Sequence, residues 1–202
     1  MWVSQVLSLS APGSSIQYLI DYALRILRRE YEEQIVQVIV LQDIGPIYTS
    51  EGVIVLTRGT EYALPRWIAL ELIEKGLVKP KDEEIGLEKL AKIAYNEEST
   101  LRKPVFTKVP QYFYNMVIDE IDRLYRRLEI ERKPLILSDI QRIEDYIMRI
   151  GKIRVRKLIQ LLFIEPPQDI VGKLSMEERT LYMMLKDILG KWMIGLRIEK
   201  GG

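Results

Sequence analysis

The chain has 202 residues, of which 48% are hydrophobic, and this is enough for ordinary cores in one or two domains. Because 30 Lys and Arg nearly balance 29 Asp and Glu, the net charge of +1 argues neither for nor against nucleic-acid binding. The absence of Cys excludes disulfides, thiolate chemistry and Cys-ligated zinc, and the absence of His removes the commonest general base and metal ligand.

The N-terminal region, residues 1–34, is predicted to be an arm followed by a helix from about Ser15 to Glu32. Ser14 and Gln17 have the spacing of a helix capping box. Apolar residues then recur at helical spacing, which indicates a helix. These residues are Ile16, Leu19, Ile20, Ala23, Leu24 and Leu27.

The period of the sequence then changes from helical to β. Ile35–Leu41 and Val53–Thr57 are rich in β-branched residues and are predicted to be strands, with Glu61–Leu64 as a short third strand. Gly45 and Pro46 lie between the first two runs and have the composition of a turn. The strands are expected to form a small β-rich domain.

This β-rich domain is predicted to extend over residues 35–76. We expect a junction near its end, with Leu64, Pro65 and Trp67 as the anchoring residues. Proline cannot donate a backbone N–H, but its fixed φ suits the first residue of a helix, so the last strand is predicted to turn directly into a helix. We expect Trp67 to anchor the junction and, like Trp192, to be a core or interface residue.

The remainder of the chain is predicted to be a linker, residues 77–84, followed by a helical bundle domain, residues 85–202. Gly and Pro with charged residues mark the linker, and apolar residues at helical spacing mark the bundle. The fold class is therefore α+β, mostly α, with a small N-terminal β-rich domain before the bundle. The bundle helices are predicted to open near Ile85, Pro110, Ser138 and Ser175.

The sequence contains no pattern that indicates a catalytic site. It has neither a GxxxxGK[ST] nor a GxGxxG phosphate-binding loop. Its acidic doublets point in different directions on a helix, and Glu177 with Glu178 is better explained as a pair of carboxylates at a helix N-terminus. We therefore expect no catalytic residue, no cofactor and no metal.

The clearest charged feature is a run of five bases in nine residues without an acid: Arg149, Lys152, Arg154, Arg156 and Lys157. On a helix, the first, second and fourth share one face, and the other two lie to the side. One interpretation is contact with phosphates or with an acidic partner surface. The alternative is a solvated helix face paired with acids of the bundle itself.

A further pattern extends over roughly residues 35–165. Tyr62–Leu70 contains leucine, proline, a basic residue, tryptophan and alanine in order, between a strand pattern and a helix pattern. The pattern resembles the GINS family of DNA replication proteins, in the archaeal form that stands for the second and third eukaryotic subunits. The other matching stretches are Ile39–Leu41, Val53–Leu56, Leu87–Leu90, Phe106–Phe113 and Arg154–Leu158.

The resemblance implies a small β domain followed by a helical domain in a non-catalytic scaffold subunit. Two copies would join two copies of a second GINS subunit with the opposite domain order, in a 2:2 heterotetramer. That assembly would hold the MCM helicase and a RecJ-like protein at the replication fork, with primase as a further candidate partner and direct DNA contact left open.

Two other classes of function compete with the scaffold. The first is a free-standing nucleic-acid-binding module that uses the basic 149–157 segment. The second, a carboxylate-metal enzyme, is the least favoured because the acids are scattered. A Cys-free composition rich in Ile, Glu, Lys, Arg and Tyr is typical of heat-adapted intracellular proteins. Because no basic leader and no apolar run of roughly 18 residues is present, we expect a cytoplasmic protein without a membrane partner.

Overall fold

A computed structural model describes residues 12–49, 52–81, 85–164 and 168–198. The fold is α+β and mostly α, as predicted, with a small sheet region near the N-terminus and helices after it. The chain divides into two compact units, Met1–Glu84 and Ile85–Gly202. The second unit begins at the residue where the predicted helical domain begins.

Over its described residues, the first unit contains two helices and five strands. A long helix comes first, and the second helix lies between the last two strands. The elements are α1 (Pro12–Glu32), β1 (Ile35–Val40), β2 (Ile44–Thr49), β3 (Gly52–Leu56), β4 (Glu61–Pro65), α2 (Arg66–Glu74) and β5 (Val78–Pro80).

The strands form a three-stranded antiparallel sheet of order β4-β1-β5 and a separate ribbon of β2 and β3. Val38 and Val40 alternate with less buried residues along β1, so one face of the central strand is buried. That face contributes to an apolar core with α2 and β3. The core residues are Val38, Val40, Leu56, Leu64, Ile68, Ala69, Leu72 and Val78.

Two predictions for this unit are wrong. Gly45 and Pro46 do not form a turn but lie inside β2, where the register with β3 shifts between Ile44 and Ile47. Such an irregularity accommodates a proline, because a bulged residue need not donate to the ladder. The predicted 77–84 linker contains a strand, since β5 pairs with β1.

At the predicted junction, Leu64 is fully buried in the core. Pro65 ends β4 and is the N-cap of α2, one residue earlier than predicted, with φ −53° and ψ 138°. Trp67 is 54% exposed, so it is not a core residue of this unit, and the alternative that it is an interface residue stays a prediction. It lies in the first turn of α2, on the side away from the buried Ile68, Ala69 and Leu72.

This contrast predicts different losses of stability for two truncations, one in β4 and the other in α2. Leu64→Ala should lower the free energy of unfolding by about 2–5 kcal/mol, because it leaves a cavity in the small core. Trp67→Ala should lower it by less than about 1 kcal/mol, because half of the side chain is already in water. Urea unfolding of the two variants measures both values; equal losses would contradict the assignment of Leu64 as the buried anchor.

Within the part of the second unit that the structure describes there are five helices. The predicted helix starts near Ile85 and Ser175 agree with the structure to within two residues, but the other two helices do not start at Pro110 and Ser138. The helices are α3 (Leu87–Ser99), α4 (Phe113–Glu131), α5 (Pro134–Leu161), α6 (Gln168–Val171) and α7 (Met176–Gly195). The predicted arm before Pro12, the Ser14 side chain and residues 82–84 lie outside the described residues.

Helices α3, α4 and α5 form the main apolar core of this unit. Pro134 lies in the first turn of α5, where a missing N–H costs nothing, so the helix begins a turn before Ser138. A smaller core of Phe106, Leu158, Leu161 and Leu174 lies at the other end of α5. Ser175 and Glu178 form a capping box at the start of α7.

Candidate interaction surfaces and the buried ionic cluster

The five bases of the 149–157 segment separate into two groups on α5. Arg149, Lys152 and Arg156 are exposed, as expected from their shared face. Arg154 and Lys157 are fully buried, with 0% of each side chain accessible. For Arg154 and Lys157 the interpretation as surface contacts is therefore wrong, because these two cannot reach a phosphate or an acidic partner without unfolding the bundle.

Arg154 lies at the centre of a buried ionic cluster. Its Nε and Nη2 donate to Glu178 at 2.6 and 2.7 Å, and its Nη1 donates to Glu97 at 2.6 Å. The remaining hydrogen bonds go to the carbonyl oxygens of Thr107, at 2.9 Å, and Lys173, at 3.2 Å. The guanidinium therefore joins α3, α5, α7 and the segments before α4 and α7.

Lys157 holds the same region from the next turn of α5. Its Nζ donates to Glu97 Oε2 at 2.6 Å, Thr100 Oγ1 at 2.8 Å and the Val105 carbonyl at 2.8 Å. The cluster therefore contains two cations and two carboxylates and has no net charge. We define the buried ionic cluster as Glu97, Arg154, Lys157 and Glu178.

Burial alone would lower the pKa of Arg154, but its hydrogen bonds to Glu178 and the charges of Glu178 and Glu97 raise that pKa above the ordinary arginine value. Arg154 therefore stays charged wherever the unit is folded. A buried charge of this kind is tolerated only with matched partners. The cluster positions helices, and it presents no open coordination or binding position to solvent.

Tyr114 on α4 donates its hydroxyl hydrogen to Glu178 Oε1 at 2.8 Å. Burial, followed by the negative charge of Glu178, raises the Tyr114 pKa well above its ordinary value of 10.0. The Tyr114 pKa is about 10.0 in the unfolded chain and higher in the folded chain. At a pH between the two values, the Tyr114 hydroxyl is deprotonated in the unfolded chain but not in the folded chain, so a rise in pH favours unfolding. Stability contributed by Tyr114 is thus present below pH 10.0 and is lost as the pH rises beyond it.

Tyr114→Phe should lower the free energy of unfolding at pH 7 by about 1.5–3 kcal/mol, because Glu178 loses one hydrogen bond to a charged group. The same variant should show a shallower loss of stability above pH 10.0 than the parent chain. Urea unfolding from pH 7 to 11 measures both effects. The exposed Tyr95 gives the control Tyr95→Phe, which should follow the parent curve; parallel alkaline slopes for Tyr114→Phe and the parent would contradict the assignment.

The exposed bases form a second feature of α5, a basic face made of Arg149, Lys152 and Arg156. Arg149 lies over the Tyr146 ring, 5.1 Å from its centroid, and pairs with Glu98 at 3.2 Å. An ion pair this exposed contributes at most about 1 kcal/mol, so Arg149 can exchange partners. The basic face is therefore available to a negatively charged ligand.

Helix α7 carries a third feature, an apolar surface that the described residues of its own unit leave uncovered. Within α7, all of which the structure describes, Glu178 alone is buried. Leu181 packs against the smaller core, but Ile188 and Trp192 farther along the same stripe are exposed, Trp192 by 64%. We define the α7 apolar surface as Ile188, Trp192, Leu196 and Ile198, all of them exposed.

Neither a metal-binding group nor a membrane-spanning helix is found among the described residues. Over the residues that the structure describes, no group of three or more acidic side chains could hold a metal ion. None of the helices in the described ranges is both long and apolar enough to cross a bilayer.

No family model matches the chain, and no curated protein matches it.

Proposed function

We propose that the chain is a non-catalytic structural subunit of a GINS-like complex, which scaffolds the replicative MCM helicase and a RecJ-like protein at the fork. The protein would be cytoplasmic and associated with the nucleoid. The observation that supports this role most directly is the α7 apolar surface. The sequence resemblance supplies the identity of the partners.

The α7 apolar surface has the composition of a subunit contact. Soluble monomers rarely expose contiguous apolar surface on this scale, and tryptophan is enriched among the residues that dominate binding energy. The helix is fixed at its start by the capping box and by the salt bridge from Arg154 to Glu178. Ile188 and Trp192 are therefore presented on a positioned helix, with Leu196 and Ile198 just beyond its end, and this lowers the entropy cost of binding.

Co-expression with a GINS subunit of the opposite domain order tests the proposal. Native mass spectrometry should show a 2:2 heterotetramer, and the chain alone should self-associate or aggregate. The assembled complex should then retain an MCM helicase and a RecJ-like protein on an affinity column. A chain that stays monomeric and ignores the partner at micromolar concentration would exclude the proposal.

A second candidate function, nucleic-acid binding, is favoured by the basic face alone. Three bases on one helix face can contact successive phosphates, and each contact releases counterions. A test of nucleic-acid binding should not substitute Arg154 or Lys157, because a change at either buried residue would destabilise the core.

Lys152→Glu with Arg156→Glu should therefore weaken DNA binding and reduce the slope of log K against log salt by roughly 1.8, the value for two lost phosphate contacts. The control Lys186→Glu with Lys191→Glu makes the same change of charge on α7 and should leave the slope unchanged. Fluorescence anisotropy with a short duplex over a range of salt measures both. If the two pairs of substitutions have equal effects, binding comes from net charge and not from the basic face.

A further inference from the structure

Among the described residues, the buried contacts of helix α1 with the first unit lie at its C-terminal end. Leu27 and Tyr31 are buried, and the Arg66 guanidinium lies over the Tyr31 ring, 4.4 Å from its centroid. The backbone N–H of Arg66 also donates to the Gln34 carbonyl, at 2.7 Å, just after the helix. The end of α1 is therefore a firm attachment to the β-rich core.

The rest of the helix, residues 15–26, is about 18 Å long and has no comparable contact. Its large apolar side chains are between 38 and 64% exposed. They cover an arc of about 240°, from Tyr18 round to Leu24, more than twice the stripe with which a surface helix usually meets a core. The exposed residues, defined here as the α1 apolar face, are Ile16, Tyr18, Leu19, Ile20, Tyr22, Leu24 and Ile26.

We infer that the α1 apolar face binds the same face of a second copy of this chain. Together its seven residues expose on the order of 600 Å² of apolar surface, near the roughly 800 Å² per partner of a standard protein interface. The first unit has no described element that covers this face. The inference does not depend on the proposed function, because it concerns a contact between identical chains.

The charges on α1 favour a second copy over other occupants. Between residues 15 and 26 the helix carries one acid, Asp21, and one base, Arg25, so its net charge is zero. A helix that binds anionic lipid needs a polar face rich in Lys and Arg, and nucleic acid needs the same. A neutral face can meet its own copy without repulsion, in the self-complementary contact of a twofold dimer.

Ala23 lies at the centre of the arc and provides a site for a direct test. Its small side chain allows two helices to approach closely, and the chain has no cysteine of its own. Ala23→Cys should therefore cross-link to a dimer with a short bismaleimide. Arg25→Cys, about 160° round the helix, should not cross-link.

A second measurement tests the same contact without cross-linking. Sedimentation equilibrium of the full chain alone should show a dimer that Ile20→Glu with Leu24→Glu weakens at least about 100-fold. Arg25→Glu is the matched control and should leave the dimer unchanged. Circular dichroism should show that all variants keep their helix content, since the replaced side chains are exposed.

Three results would each overturn the inference. One is a parent chain that stays monomeric, and binding of that monomer to phosphatidylglycerol vesicles would assign α1 to a membrane surface instead. Another is equal cross-linking at positions 23 and 25. The third is a dimer that survives Ile20→Glu with Leu24→Glu, as expected if α7 alone joins the copies. Because no GINS partner is present, failure here leaves the heterotetramer test independent.

Discussion

Arg154→Met is expected to lower the free energy of unfolding of the second unit by about 3–5 kcal/mol, the cost of removing one partner from a buried ion pair. Methionine fills part of the space but cannot donate to Glu97 or Glu178, and neither carboxylate can reach water. The buried ionic cluster would change from neutral to a net charge of −1 in a region without solvent. Loss of the charge, and not of volume, dominates the effect.

The matched control is Arg156→Met, two residues farther along α5 and exposed. It makes the same chemical change on the outer face and should alter stability by no more than about 0.5 kcal/mol. Urea unfolding followed by circular dichroism at 222 nm would compare the two, because most of the helix is in the second unit. A similar midpoint for both variants would show that the cluster contributes little to the fold.

The buried ionic cluster could have been predicted from the sequence, but its charged residues were assigned to the surface. Arg154 lies four residues after the buried Ile150 and four before the buried Leu158, so it falls on the apolar stripe of α5. Glu97 likewise follows the buried Ile93 by four residues on α3. Helical periodicity therefore predicts that Arg154 and Glu97 are both buried and paired, whereas their residue types alone predict that both are exposed to solvent.

The helical content and the division at Ile85 follow from long periodic segments, which encode helices strongly. The β-rich unit was harder to predict, because β5 has three residues and β2 contains a Gly-Pro pair that normally indicates a turn. Their pairing depends on neighbours far along the chain, such as Val38 opposite Pro80. Local patterns cannot express that dependence.

The two tryptophans show a similar limit of prediction from sequence. Composition predicts that Trp67 and Trp192 are core or interface residues, and it cannot distinguish the two possibilities. In the structure both are more than half exposed, by 54% and 64%. Trp67 is a single residue beside a complete core, whereas Trp192 continues the stripe of Leu181, Leu185 and Ile188. Only the second has neighbours that a partner could cover together with it.

Trp192→Ala is therefore expected to weaken binding to the proposed partner subunit by about 30-fold to 1,000-fold, which corresponds to the roughly 2–4 kcal/mol of an interface hot spot. An indole that is exposed in the free chain contributes little to its stability, so the unfolding midpoint should not move by more than about 0.5 kcal/mol. The effect then appears in the dissociation rate, where most interface substitutions act.

Surface plasmon resonance with the immobilised partner would measure the dissociation rate, and Asp187→Ser on the exposed charged side of α7 is the matched control. Asp187 pairs only with Lys191 in the same helix at 2.7 Å, so its loss should leave the dissociation rate unchanged. Equal rates for Trp192→Ala and the parent chain would remove α7 from the interface. A subunit contact would then have to lie on another helix face, because the α7 apolar surface would no longer support the proposed function.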